Sequence, residues 1–282
     1  MQHRANQQVE SSDTLGAGIM LRLLRRPLFL IATVIEVGGL GLQTIALGLG
    51  ALVVVQPLLV LGLLLAVPLS AALDHRPLLH GELIGAAMTV AGLGAFLTAA
   101  RPSVGISTVD LAKALPIAGL LLAVTLSCVL LSQRDGSHRG VWLGLASGAL
   151  YGVSSGLIKV VATSFGDLGF GVVEHWPFWA MIAIGGSGLI LTQHAFAAGG
   201  LGAPLAVLTL AEPVAAVIVG RFVLDEHLSG GFGPILVQTV GALIAGWGVW
   251  MISTQPGARV RIPVVESVHE MVDPPSSSAA PI

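Results

Sequence analysis

The sequence predicts an all-α protein: a polytopic membrane bundle of about eight spanning helices arranged as inverted repeats. Three observations predict it. The 282-residue chain is 54% hydrophobic, with a mean hydropathy of +0.89. Only 10% of its residues are charged, against about 25% in a soluble domain. The apolar residues fall in runs of about 20, the length that crosses a hydrocarbon core of about 30 Å. The 37 glycines fit the same class, because small residues let membrane helices approach closely. The single cysteine, Cys128, excludes a disulfide within the chain.

Eight segments qualify as spans: 28–50, 51–73, 82–100, 114–132, 141–163, 176–197, 202–222 and 233–253. "GLGA" at 48–51 leaves almost no connection, so the first two segments form a tight hairpin. The fifth carries Gly144, Gly148, Gly152 and Gly156, every fourth residue on one face. That is a small-residue seam, read either as static packing or as a surface for sliding. Residues 1–27 read as a cytoplasmic segment, with "LRLLRRP" (21–27) the basic flank of the first span. The tail 254–282, rich in proline and serine, reads as disordered.

Basic residues orient the spans. Alternate loops divide into a set with nine (Arg4, Arg22, Arg25, Arg26, Arg76, Arg134, Arg139, Arg259, Arg261) and a set with three (Arg101, Lys113, Arg221). The richer set belongs in the cytoplasm, with both chain ends. A plasma (inner) membrane location is expected.

The chain also repeats itself. Gln56-Pro57 matches Glu212-Pro213 at an offset of 156 residues. Gly85-Ala86 matches Gly241-Ala242 and Gly92 matches Gly248 at the same offset. Upstream, Gln43 falls on Gln193 at an offset of 150, a short insertion around 201–206 absorbing the difference. Spans 28–100 and 176–253 are therefore related three-helix units that enter the membrane from opposite sides, a transporter pattern with its substrate site near the midplane. The helix 141–163 precedes the second unit and has no counterpart ahead of the first. "MQHRANQQ" is expected to be the end of a first helix that the sequence lacks.

Ionisable and polar residues inside spans mark candidate sites. In "LTLAEPVAAVIVG" (208–220), Glu212 sits about ten residues into its span, roughly 15 Å deep. Glu36 sits about eight residues into the first, roughly 12 Å deep. Two carboxylates at similar depth, one in each unit, suit a coupling proton or a cation. Pro213 frees a carbonyl near Thr209, and Pro57 frees one near Val53. Such carbonyls can hold a cation or a polar substrate group, although a plain kink remains the alternative. Gln43, Gln56, Gln193 and His194 either line a route or bond across helices. Lys159 either contacts substrate or snorkels to the outer interface. Asp225-Glu226-His227 reads as a solvated outer loop and a weak metal-site signal.

No Walker loop, GxSxG, HExxH or zinc pair occurs, so an enzyme is not expected and no cofactor is. Expected partners are the lipid bilayer and a small-molecule or cation substrate, with a homodimer allowed and no nucleic acid.

"ALGLGALVVVQPLL…IGAAMTVAGLGAF" and "FAAGGLGAPLAVLTLAEPVAAVIVGRFVLDE…VGALIAGWGVW" resemble the duplicated units of the drug/metabolite transporter (DMT) superfamily, EamA-like. Over residues 1–253 the nearest resemblance is to actinobacterial members related to NIPA-type magnesium transporters. The resemblance implies nine helices and a secondary transporter working by alternating access. It implies an acidic residue ending each proline-bearing helix: Glu226 falls on it in the second unit, and Asp74 only loosely in the first. It leaves the substrate class open among metabolites, amino acids, nucleotide sugars, drugs and divalent cations. A Mg²⁺ transporter, with Glu36 and Glu212 as metal ligands, is one alternative. A non-transporting scaffold or truncated fragment is the other.

Overall fold

The computed structural model describes residues 27–253, except 74, 76, 104, 107, 108, 200 and 201. The sequence readings of 1–26, Asp74 and 254–282 therefore lie outside the described residues. The chain divides into two compact units between Gln43 and Thr44. Of the first, the structure describes residues 27–43, the leading turns of one helix. The second carries the bundle.

Every regular element among the described residues is helical. The α-helices are α1 Pro27–Leu49, α2 Leu52–Leu73, α3 His80–Ala100 and α4 Leu111–Arg134, then α5 Arg139–Leu168, α6 Trp176–Gly199, α7 Gly202–Phe222 and α8 Phe232–Ser253. Short 3₁₀ turns, Gly136–His138 and Gly169–Glu174, flank α5. Seven of the helices are long and apolar enough to cross a bilayer. Large apolar side chains such as Leu65, Leu115, Phe232 and Leu243 face outward. An apolar exterior of this kind is compatible with a multi-pass membrane protein.

Local chemistry explains the ends. Gly50 closes α1, its N–H donating to Ala46 O at 2.8 Å, and α2 begins two residues later. At α3 the Glu82 carboxylate reaches back to accept from Leu79 N at 2.8 Å, satisfying a donor that the first turn leaves open. Asp110 caps α4 by accepting from Ala112 N at 2.9 Å. Helix α5 runs five residues beyond the apolar stretch 141–163. Thr163 returns its hydroxyl to Lys159 O at 2.9 Å, so polarity does not stop the helix. It stops at Gly169, where φ is +55°. Thr89, Thr125, Ser187 and Thr192 likewise bond the carbonyl four residues earlier, leaving no bare hydroxyl for lipid.

Helix α5 is the hub, packing on α4, α6 and α7, while α2 packs on α7. The glycine seam faces α7. A Cβ on Gly144 would stand 2.7 Å from Pro204 O, and one on Gly148 would stand 2.8 Å from Leu208 O. One on Gly152 would stand 2.7 Å from Glu212 O, and one on Gly156 would stand 2.5 Å from Val219 Cγ1. Residue numbers rise together along both helices, so α5 and α7 run parallel with their backbones in contact. A second close crossing joins α3 to α8. A Cβ on Gly85 would meet Gly248 O at 2.9 Å, and one on Gly241 would meet Gly92 O at 2.7 Å. Thr89 Oγ1 lies 3.4 Å from Ala245 O at the centre. This pair runs antiparallel.

The α3–α8 contact admits no methyl at its centre. Gly92→Ala, whose Cβ would stand 2.5 Å from Gly241 O and Ala245 N, is expected to cost about 1–3 kcal/mol. Gly94→Ala, with nothing within 4 Å, is expected to be neutral or to stabilise by up to about 1 kcal/mol. Thermal melts in detergent check both.

Candidate functional site

A carboxylate inside an apolar bundle is costly unless it is hydrogen-bonded or paired. Glu82, Glu212 and Glu226 test that rule. Glu82 is buried and spends its charge on the start of α3. Glu226 is fully buried and accepts three hydrogen bonds. Its Oε1 takes Leu52 N at 2.6 Å and Lys159 Nζ at 2.5 Å, and its Oε2 takes Val53 N at 2.9 Å. The side chains of Lys159 and Glu226 are 1% and 0% exposed. One anion thus caps the first turn of α2 and neutralises an ammonium from α5, suiting the positive end of a helix.

Lys159 therefore does not snorkel, and Glu226 is not solvated as its loop position suggests. The reason is local. The chain turns back after α7, with Glu226 N donating to Gly220 O at 2.9 Å, which carries the carboxylate inward. A Cβ on Gly220 would stand 2.7 Å from Glu226 Oε2. The one signal for this pairing in the sequence is Lys159 itself: an ammonium inside a span needs an anion at its own depth.

Two straps close over this pair. The α3–α4 connection bonds the α7–α8 connection through Ile106 N to Leu224 O at 2.8 Å and Ser103 N to His227 O at 3.0 Å. His227 N returns to Ser103 Oγ at 2.9 Å. Gln238, buried on α8, donates to Ser229 O at 3.0 Å and Ala99 O at 3.3 Å, a role the sequence did not signal. Outside, Asp225 pairs with Lys113 of α4. The Lys113 ammonium holds the Asp225 carboxyl below the usual carboxylate range.

Glu212 differs from the other two acids. It is partly buried in α7, and no hydrogen bond or ion pair to its carboxylate occurs among the described residues. It shares a face of the helix with Ala216 and Gly220 at four-residue spacing. Gly152 of α5 lies against its backbone carbonyl. Among the described residues two further buried side-chain atoms lack a partner, Ser253 Oγ at the end of α8 and Nε2 of Gln56 on α2. Gln56 is 2% exposed. Leu52 reaches the Gly156 level of α5, where the Gly156 Cβ position is 3.7 Å from Leu52 Cδ2. Four residues on, about 6 Å further inward, Gln56 comes to the Gly152 level, which is also that of Glu212. An unpaired amide and an unpaired carboxylate thus share one depth, on two helices packed against α5.

Pro57 and Pro213 lie inside continuous helices, each leaving one carbonyl without its helical donor: Val53 and Thr209. Gln193 and His194 are exposed, and His194 Nδ1 is satisfied within its own helix by Ile190 O at 2.8 Å. Gln43 is half-buried on α1. Glu36 lies on the same helix, its side chain outside the described part of the molecule. Between α7 and α8 lies an open groove of about 750 Å³, walled by Leu210, Val214, Trp247 and Trp250 and containing none of the sequence-predicted residues.

An uncharacterized protein of Corynebacterium glutamicum is 30% identical over 228 residues, covering 80% of this chain and 79% of that protein. The chain belongs to that protein's family. The similarity runs over most of both family members. No family model matches the chain. No solved structure matches it.

Removing the cation while leaving Glu226 in place strands a buried anion. Lys159→Met is expected to destabilise by about 3–5 kcal/mol, read as a fall in melting temperature in detergent. Asp225 supplies a pH test. Its folded pKa is depressed below 3.8, so the stability it contributes is full above that value and disappears as pH falls through the folded pKa. The melting difference between wild type and Lys113→Gln should be constant near neutral pH and vanish in strong acid.

Proposed function

We propose that the chain is a secondary transporter of the drug/metabolite type, carrying a small polar solute across the plasma membrane by alternating access. Glu212 exchanges the coupling proton, and Gln56 meets a polar group of the solute. The observation that carries this reading is the unpartnered Glu212 carboxylate. Glu82 and Glu226 each have a structural task, and Glu212 has none. A group placed at such cost, at the depth of the unpartnered Gln56 Nε2, is suited to an exchangeable ligand.

The packing of α3 on α8 supports the inverted-repeat reading. If residues of the first unit correspond to those 156 further on, Gly85 is the counterpart of Gly241 and Gly92 of Gly248. Gly85 meets Gly248 as Gly241 meets Gly92, and Thr89 meets its own counterpart, Ala245. Reciprocal contacts of this kind follow from a two-fold axis in the membrane plane, around which such transporters rock. The DMT resemblance and the positive-inside bias, which assigns the C terminus to the cytoplasm, belong to the same proposal.

Divalent-cation transport is the second reading, and the carbonyls opened by Pro57 and Pro213 favour it. Among the described residues no group of three or more His, Cys, Asp or Glu could hold a metal ion. A Mg²⁺ route would therefore draw on those carbonyls and retained waters. A single carboxylate suffices for a proton.

The test is solute-driven proton movement in proteoliposomes of the full chain with a trapped pH dye. Amino acids, nucleosides, amines and MgCl₂ are supplied in turn. Saturable proton movement in wild type that is lost in Glu212→Gln, with the melt unchanged, is the expected outcome. Unchanged movement in Glu212→Gln removes Glu212 from the mechanism. Saturable Mg²⁺ uptake without proton movement selects the cation reading. No uptake of any probe leaves a membrane scaffold.

A further inference from the structure

The Glu226 node lies directly between Glu212 and the end of the bundle where the two straps cross. Along α5, Lys159 is seven residues beyond Gly152, which places the ion pair roughly 10 Å toward the strap end from the Glu212 level. At that point three separate parts of the chain converge on one carboxylate: the start of α2, the ammonium of α5 and the turn after α7. No solvent reaches either charge.

An apolar plug of the same volume would be as stable as a buried ion pair, or more so. A charged closure has another property: its two states differ sharply. Intact, the carboxylate receives three charge-assisted bonds. Separated, the carboxylate loses its charge-assisted bonds and needs water in their place. A contact of that kind is either fully made or fully hydrated, with little stability between.

The surroundings are built to admit the carboxylate. Gly220 and Gly105 leave room where a Cβ would press on it: that of Gly220 would stand 2.7 Å from Oε2, and that of Gly105 would stand 2.7 Å from Cγ. Gly105 holds φ +71°, a conformation glycine adopts freely, and its backbone lies against the Glu226 side chain. The straps meet through backbone hydrogen bonds and the Lys113–Asp225 pair, and Val109 of one packs against the buried cluster that includes Val223 and Leu224 of the other.

From this geometry we infer that Glu226 is a gate latch: the strap end opens when the carboxylate releases Lys159 and the first turn of α2, freeing α2 to move away from α5 and α7 and admitting water to the Glu212 level. The inference rests on the transporter reading for its purpose, but its test does not need transport.

The experiment uses the full chain in membrane vesicles of known orientation, with Cys128→Ser as background. A cysteine at Ser103 reports which face carries the straps. A second background carries Ala216→Cys, fully buried in wild type and set on the Glu212 face of α7. Its reaction rate with a membrane-impermeant, charged thiosulfonate is measured from each face. Glu226→Gln and Lys159→Met are expected to raise the rate from the strap face at least roughly tenfold, with no change from the other face. The Gly94→Ala control should leave it unchanged. A rate within about twofold of the parent in a folded Glu226→Gln protein overturns the latch and leaves a static helix cap. An equal rise from both faces also overturns it, since that is general loosening. Should Glu226→Gln fail to fold, Glu226→Asp is read the same way: it keeps the charge but is one methylene short of spanning the three donors. A raised strap-face rate in a protein that carries none of the solutes keeps the latch and rejects the transporter reading.

Discussion

Burying ionised groups among apolar helices constrains this structure more than any other feature. Each buried ion must find a partner at its own depth, and the way these are found organises the bundle. Glu226 draws α2, α5 and the turn after α7 to one point. Gln238 ties the opening turns of α8 to the end of α3 and to the second strap. Without Glu226, the buried Lys159 ammonium would lose its carboxylate, and the first turn of α2 would have two open donors in an apolar setting.

Away from that end, the middle of the bundle is held by the absence of side chains. Gly144, Gly148, Gly152 and Gly156 bring α5 onto the backbone of α7. Gly85, Gly92, Gly241 and Gly248 do the same for α3 and α8. In hydrocarbon there is little hydrophobic drive between helices, so contact distance governs how well they hold. Glu212 belongs to this tightly packed region by its backbone, while its carboxylate is left open.

Much of this was legible in the residues. The helices follow from runs of apolar residues, and their limits in the structure lie within a few residues of those runs, α5 excepted. There the helix outlasts the apolar stretch because hydrogen bonding, not hydropathy, ends a helix. Glu212 and the glycine seam were both visible, the first as a charge and the second as a four-residue period. Lys159 was visible too, but its partner was not. Glu226 sits in a loop 67 residues away, in a polar tripeptide that reads as surface. Gln56 stood out only as a polar residue in a span. That its amide nitrogen is unpaired is a property of its neighbours.

A set of long apolar helices with few charges and abundant glycine follows from the residues alone. Composition and periodicity are local quantities, and a 20-residue apolar run has few alternatives to a helix. Only the tertiary structure decided which charges are structural and which are left over. Lys159 and Glu212 are equivalent in cost when read along the chain, and Glu226 reads as surface. They become different when α2, α5 and α7 pack, because partnership depends on distance across the bundle and not on distance in sequence. That packing assigns Lys159 and Glu226 to each other and leaves Glu212 open.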